Sequence, residues 1–188
     1  MTAPRIAPGG RDEVGLANWL VARASGLVAG TEPPHLFLTL GRHRRLFRAW
    51  LRFAAHLMPG GRISRRETEL VILRVAHRAG SGYELAQHRA LARRAGVTQP
   101  EIDRVLDDAT PASDWPARER VLLRVVDELH DARDVTDATW DELRRHLDDV
   151  EAIELVLLVA HYEMLATTIE ALRIQPDRSV ARPWSRRG

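Results

Sequence analysis

Glu84 and His88 stand four residues apart in GYELAQHRALARR, so on a helix their side chains share one face, about one turn apart. A carboxylate beside an imidazole can set the ring tautomer and move a proton, which is what general acid–base chemistry requires. Glu69 lies upstream in TELVILRVAH, among largely apolar neighbours where a bare carboxylate is costly and calls for a partner. If the break at Gly80-Ser81-Gly82 folds the two segments into a hairpin, Glu69 approaches the Glu84/His88 face. Two carboxylates and an imidazole in a dry place would be a proton-transfer site. Each residue also has a plainer role open to it. Ser81-Gly82-Tyr83-Glu84 is an S-x-x-E capping box, His88 could satisfy a helix contact, and Glu69 could pair with Arg65, Arg66 or Arg74.

The elements that must position these residues read as helices throughout, because no alternating run bounded by turn residues supports a strand. A first helix is expected over about Arg11–Val28, ended by Gly30 and Pro33-Pro34, and a second from His35 to Met58, stopped by Pro59-Gly60-Gly61. Ser64-Arg65-Arg66-Glu67 is a capping box opening a helix that is apolar nearly all round from Leu70 to Ala76, and therefore central. The next helix runs from Tyr83 to about Ala95, and Thr98-Gln99-Pro100-Glu101 opens a short one. Asp114 and Thr136 are the expected caps of two further helices, and a strongly apolar last helix spans about Asp148–Leu172, with Pro176 beyond it. ELVILRV (69–75) and ERVLLRV (119–125) are alike, as two amphipathic helices with similar demands or as a trace of duplication.

Composition sets the bounds. A chain of 188 residues, 45% hydrophobic and 29% charged, is an ordinary globule able to bury a core. The 28 basic residues, all arginine, face 26 acidic ones and alternate with them, which suits solvated helix faces rather than a nucleic-acid surface. The charge-free stretch Leu155–Tyr162 is too short for a membrane span, and Arg11-Asp12-Glu13 interrupts any leader-like segment, so a cytoplasmic location is expected. No cysteine is present, which removes disulfides, thiolate metal sites and thiol chemistry together. His35, His43, His56 and His77 show no metal-ligand spacing, and no H-E-x-x-H occurs, so no metal is expected.

The stretch RRETELVILRVAHRAGSGYELAQHRALARRAGVTQPEI resembles the central motif of the carboxymuconolactone decarboxylase and alkylhydroperoxidase-D-like superfamily. VTDATWDELRRHL and ELVLLVAHYEMLATTIEALRI resemble its C-terminal helices, so the likeness runs over roughly 35–174. The resemblance implies an all-α, single-domain bundle of about seven to eight helices. It divides the chain into an N-terminal extension (1–34), a helical domain (35–174) and a tail (175–188) that is mobile or reaches a neighbouring subunit.

In the peroxidase branch a Cys-x-x-Cys pair precedes the histidine. Laid on this chain, the cysteine positions fall on Ser81 and Glu84, the histidine on His88 and the relay glutamate on Glu69. Without sulfur a thiol peroxidase is not expected. The decarboxylase branch implies a cofactor-free lyase or isomerase acting on a small carboxylated or lactone-like substrate. His88 would be the acid/base, Glu84 would orient it, and Glu69 would be a second proton carrier. Arg74 or Arg89 would hold a carboxylate, and Ser81, Tyr83, His161 and Tyr162 would line the pocket. The resemblance also implies a trimer or hexamer. The alternative is a catalytically silent relative that binds a small ligand or a protein partner.

Overall fold

The first turn of each helix shows why the chain breaks where it does. Ser64 caps the central helix, its Oγ accepting from the Glu67 amide at 3.3 Å while the Glu67 carboxylate accepts from the Ser64 amide and hydroxyl at 3.3 and 2.7 Å. The Glu101 carboxylate likewise accepts from the Thr98 amide at 2.8 Å, and Thr136 Oγ1 accepts from the Thr139 amide at 3.4 Å. The structure is a computed structural model and describes residues 3–109 and 114–178. Among these residues it has ten α-helices and no strand: α1 Arg11–Val14, α2 Leu16–Ala29, α3 His35–Leu40, α4 Arg44–Leu57, α5 Arg65–Arg78, α6 Gly82–Arg94, α7 Gln99–Val105, α8 Ala117–Ala132, α9 Asp137–Arg144 and α10 Asp149–Leu172.

The all-α expectation holds, but the expected seven to eight helices become ten. Each of the first two expected helices is split. Gly15, at φ +82°, turns the chain between α1 and α2, and Gly41-Arg42-His43 separates α3 from α4. Neither glycine is accompanied by proline, so hydrophobic periodicity runs across both breaks. Asp114 is not a cap either: α8 starts at Ala117 with Pro116 at its N-cap. The proline fixes an extended entry into the helix two residues later than the aspartate signal suggested.

Two compact units divide the chain, Met1–Phe53 with Ile169–Gly188, and Ala54–Thr168. The division falls within α4 and α10. In the first unit the rings of Phe37, Phe47 and Trp50 meet at 5.5–5.7 Å. The His35 amide donates to Asp177 Oδ1 at 2.8 Å, so the start of the expected tail is tied down. Residues 179–188, with the basic RPWSRRG, lie outside the described residues.

The second unit is built around α5. Every residue from Glu67 to Ala76 is buried, and α5 packs against α6, α7 and α8. Leu70, Leu73, Ala92, Val97, Ile102, Val105, Trp115 and Leu123 form one core, each large apolar side chain contributing about 1.5–3 kcal/mol of burial. Gly80 at φ +65° and Gly96 at φ +87° reverse the chain on either side of α6, so α6 lies back along α5. The long helix α10 passes the length and composition test for a membrane span, yet 56% of its most apolar window is buried inside the protein, as in a core helix.

Candidate active site

The α5–α6 reversal brings Glu69 and His88 together. Glu69 is fully buried, and its Oε2 lies 2.8 Å from His88 Nδ1. The second Glu69 oxygen is 2.6 Å from Arg65 NH2, one turn earlier, an ion pair by distance whose angles do not form a hydrogen bond. One carboxylate therefore sits between an imidazole and a guanidinium. A carboxylate only accepts, so His88 Nδ1 is the donor in this contact. The Tyr162 ring meets His88 edge-on at 5.2 Å and 87°, and His161 packs beside Tyr162 at 5.3 Å. The Tyr162 hydroxyl donates to Met58 Sδ at 3.8 Å.

Glu84 is buried on the same helix as His88, but it is Glu69, not Glu84, that holds the imidazole. The orienting role implied for Glu84 is therefore corrected, because the hairpin puts the α5 carboxylate closer than the i,i−4 neighbour. Nor is Glu84 a capping residue. Ser81 occupies the N-cap of α6 without a capping hydrogen bond, and Ser81 Oγ and both Glu84 oxygens are buried with no hydrogen-bond partner among the described residues. Burial pushes the Glu84 carboxyl up to about 7; the nearby Ser81 hydroxyl opposes this without reaching hydrogen-bond geometry, and the Glu163 charge adds to it.

Burial also raises the Tyr162 phenol, with the Glu69 and Glu84 charges adding to the rise and Arg65 opposing it, so both carboxylates act on this one ring. Burial lowers His161 to about 4, so it is neutral at ordinary pH. Tyr83 is buried as well.

Arg74 is not at the site. Its guanidinium grips Asp127 bidentately at 2.7 and 3.0 Å, and NH1 bonds the Val105 carbonyl and Asp108, a structural commitment that leaves nothing for a substrate carboxylate. Arg89 is exposed on α6. The sequence reading missed the pair formed by His130 Nδ1 and Glu163 Oε1 at 2.7 Å. Its signal was there: Glu163 is the lone acid between Glu154 and Glu170 in an otherwise apolar helix. A surface cleft of about 290 Å³ lined by Arg120, Val121, Arg124, Ala138 and Glu142 borders none of these residues. Among the described residues no three His, Asp or Glu side chains converge as a metal site.

Residues 44–128 match the Carboxymuconolactone decarboxylase family. No curated protein is a match. Among solved structures, the chain is similar to an uncharacterized peroxidase-related protein from Silicibacter sp. TM1040 (TM-score 0.78, 18% identity, 94% of this chain and 95% of that one). It is similar too to an uncharacterized peroxidase-related protein with an alkylhydroperoxidase AhpD core from Ralstonia eutropha JMP134 (0.77, 21%, 93% and 94%). A third is the debrominase Bmp8 (0.74, 19%, 91% and 91%), also solved with 2,3,4-tribromopyrrole. At these identities the likeness is one of fold.

Proposed function

We propose, for a chain whose residues 44–128 match the carboxymuconolactone decarboxylase family, a cofactor-independent lyase or isomerase that moves protons on a small lactone-like or carboxylated substrate. The observation that carries this reading is the buried 2.8 Å contact between Glu69 and His88. With Nδ1–H held by Glu69, the His88 Nε2 lone pair takes a proton from a carbon beside a carbonyl, and the Glu69 charge stabilises the imidazolium that results. Glu84, buried and poised near neutrality, is the second proton carrier. Tyr162 walls the imidazole with His161 packed behind it, and Ser81 at the N-cap of α6 and Tyr83 in its first turn flank Glu84. The neighbours span peroxidase-related proteins and a debrominase. Thiol chemistry is closed to this chain, whose two family cysteine positions are Ser81 and Glu84. We place the protein in the cytoplasm as a homo-oligomer.

The test is incubation with carboxymuconolactone and with an unsubstituted butenolide in D2O, following carbon dioxide release and deuterium incorporation by NMR. The expected result is incorporation that needs His88. Incorporation unchanged in His88→Ala would overturn the assignment. A folded protein inert toward both probes would favour the reading in which this fold binds a ligand without turnover, to which the Arg65–Glu69 ion pair lends support as a purely structural partner.

A further inference from the structure

A buried polar atom without a partner forfeits its hydration uncompensated, so a cluster of them calls for a ligand that completes it. The start of α6 holds such a cluster. Ser81 is 8% exposed and Glu84 3%, Ser81 is the N-cap of α6 and Glu84 stands in its first turn, and Ser81 Oγ, Glu84 Oε1 and Glu84 Oε2 all lack hydrogen bonds among the described residues. The surroundings decide which protonation state the cluster adopts. Glu69 and Arg65 stand on α5, and His88 on α6 itself. Tyr162, His161 and Glu163 come from α10, with His130 of α8 bonded to Glu163. Glu69 has an imidazole and a guanidinium against it; among the described residues Glu84 has no ion-pair partner, and the Glu163 carboxylate is nearby. Burial without a cation holds the Glu84 carboxyl protonated up to about pH 7.

A neutral carboxyl and the hydroxyl at the start of its helix are two O–H donors that reach no acceptor in hydrogen-bond geometry among the described residues. We propose that Ser81 Oγ and the Glu84 carboxyl form the subsite for a carbonyl oxygen, and that the substrate is an uncharged carbonyl compound, lactone-like rather than carboxylated. This rests on the Glu69–His88 reading and narrows it. A carboxylate entering here would meet Glu69 and Glu163, with Arg74 tied to Asp127 and Arg65 to Glu69. The chemistry balances without another reactant. His88 Nε2 takes a proton from the α-carbon, the C–H pair becomes a C=C bond, and the carbonyl π pair moves onto oxygen. That oxygen takes the Glu84 proton while Ser81 donates a hydrogen bond. The products are an enol, an imidazolium and a Glu84 carboxylate, and the reverse transfers return both protons, to the same carbon or to another.

An enol-like probe tests this without turnover. 4-Fluorophenol, neutral from about pH 6 to about pH 8.5, is titrated into the protein by fluorine NMR beside 4-fluorobenzoate. Expected are phenol binding at least about tenfold tighter than benzoate at pH 6, weakening about tenfold by pH 8.5 as Glu84 ionises, and weakening about fivefold in Ser81→Ala. Glu84→Gln keeps a donor and cannot titrate, so phenol binding persists there and no longer depends on pH. Benzoate binding as tight as phenol, a pH dependence that survives in Glu84→Gln, or no phenol binding by the folded protein would each overturn the proposal. His88→Ala keeps phenol binding if the subsite stands alone. Failure of the subsite and failure of the acid–base reading are thereby told apart.

Discussion

At the scale of single residues, two buried groups pull stability in opposite directions with pH. Glu84 is held up to about 7 by burial, above its unfolded value of 4.5. Between these values the native state keeps a proton that the unfolded chain has released, so stability falls as pH rises through that window. His161 is held down to about 4 by burial, below 6.5. Between those values the unfolded chain gains a proton the native state refuses, so stability falls as pH drops. The two effects partly cancel between about pH 4.5 and 6.5. Denaturant midpoints measured from pH 4 to 8 should unmask them. Glu84→Gln gains stability over the wild type with rising pH, by on the order of 2–3 kcal/mol at pH 8, and His161→Gln gains it toward pH 4. Parallel profiles for wild type and both variants would show that neither group is perturbed. The same residues carry a negative expectation. With no cysteine in the chain, cumene hydroperoxide and a dithiol should show no turnover above blank, and His88-dependent peroxide consumption would contradict that.

At the scale of elements, the two serine caps that look alike in sequence separate in the structure. Ser64 makes its capping bonds, and Ser81 does not. Ser64→Ala should cost about 1 kcal/mol of stability and Ser81→Ala less than half of that, read as shifts in urea midpoint at constant slope. Equal costs would mean that Ser81 is an ordinary cap. This contrast also marks how far the sequence was legible. The S-x-x-E spacing is the same at 64–67 and 81–84, and only the depth of burial of Glu84 decides that its carboxyl turns inward instead of back to the helix start. The central place of α5 was readable because Leu70–Ala76 is apolar on every side. The Gly15 and Gly41 breaks were not, since a lone glycine is tolerated in a helix. ELVILRV and ERVLLRV became α5 and α8, packed on each other, with unlike fates for their glutamates: Glu69 meets His88, while Glu119 bonds Arg66 at 2.9 Å. Local pattern assigned both to helices; which glutamate meets an imidazole depends on what the Gly80 reversal brings across.

At the scale of the whole molecule, apolar side chains remain on the outside. Val150, Ile153, Leu157 and Met164 follow one stripe of α10 at 43–61% exposure, and Leu27 and Val28 on α2 reach 76% and 67%. A second copy of the chain would cover such faces, so sedimentation at micromolar concentration should give an assembly, trimer or hexamer, that Ile153→Asp weakens. A wild-type species of 21.2 kDa would contradict this. The central claim is tested most directly by chemical rescue. His88→Ala should lower deuterium incorporation into the butenolide about 10²–10⁴-fold with the helical fold intact, and added imidazole should restore it in proportion to the basicity of the imidazole used. Undiminished incorporation in His88→Ala, or a loss that no imidazole restores, would show that His88 is not the group that moves the proton.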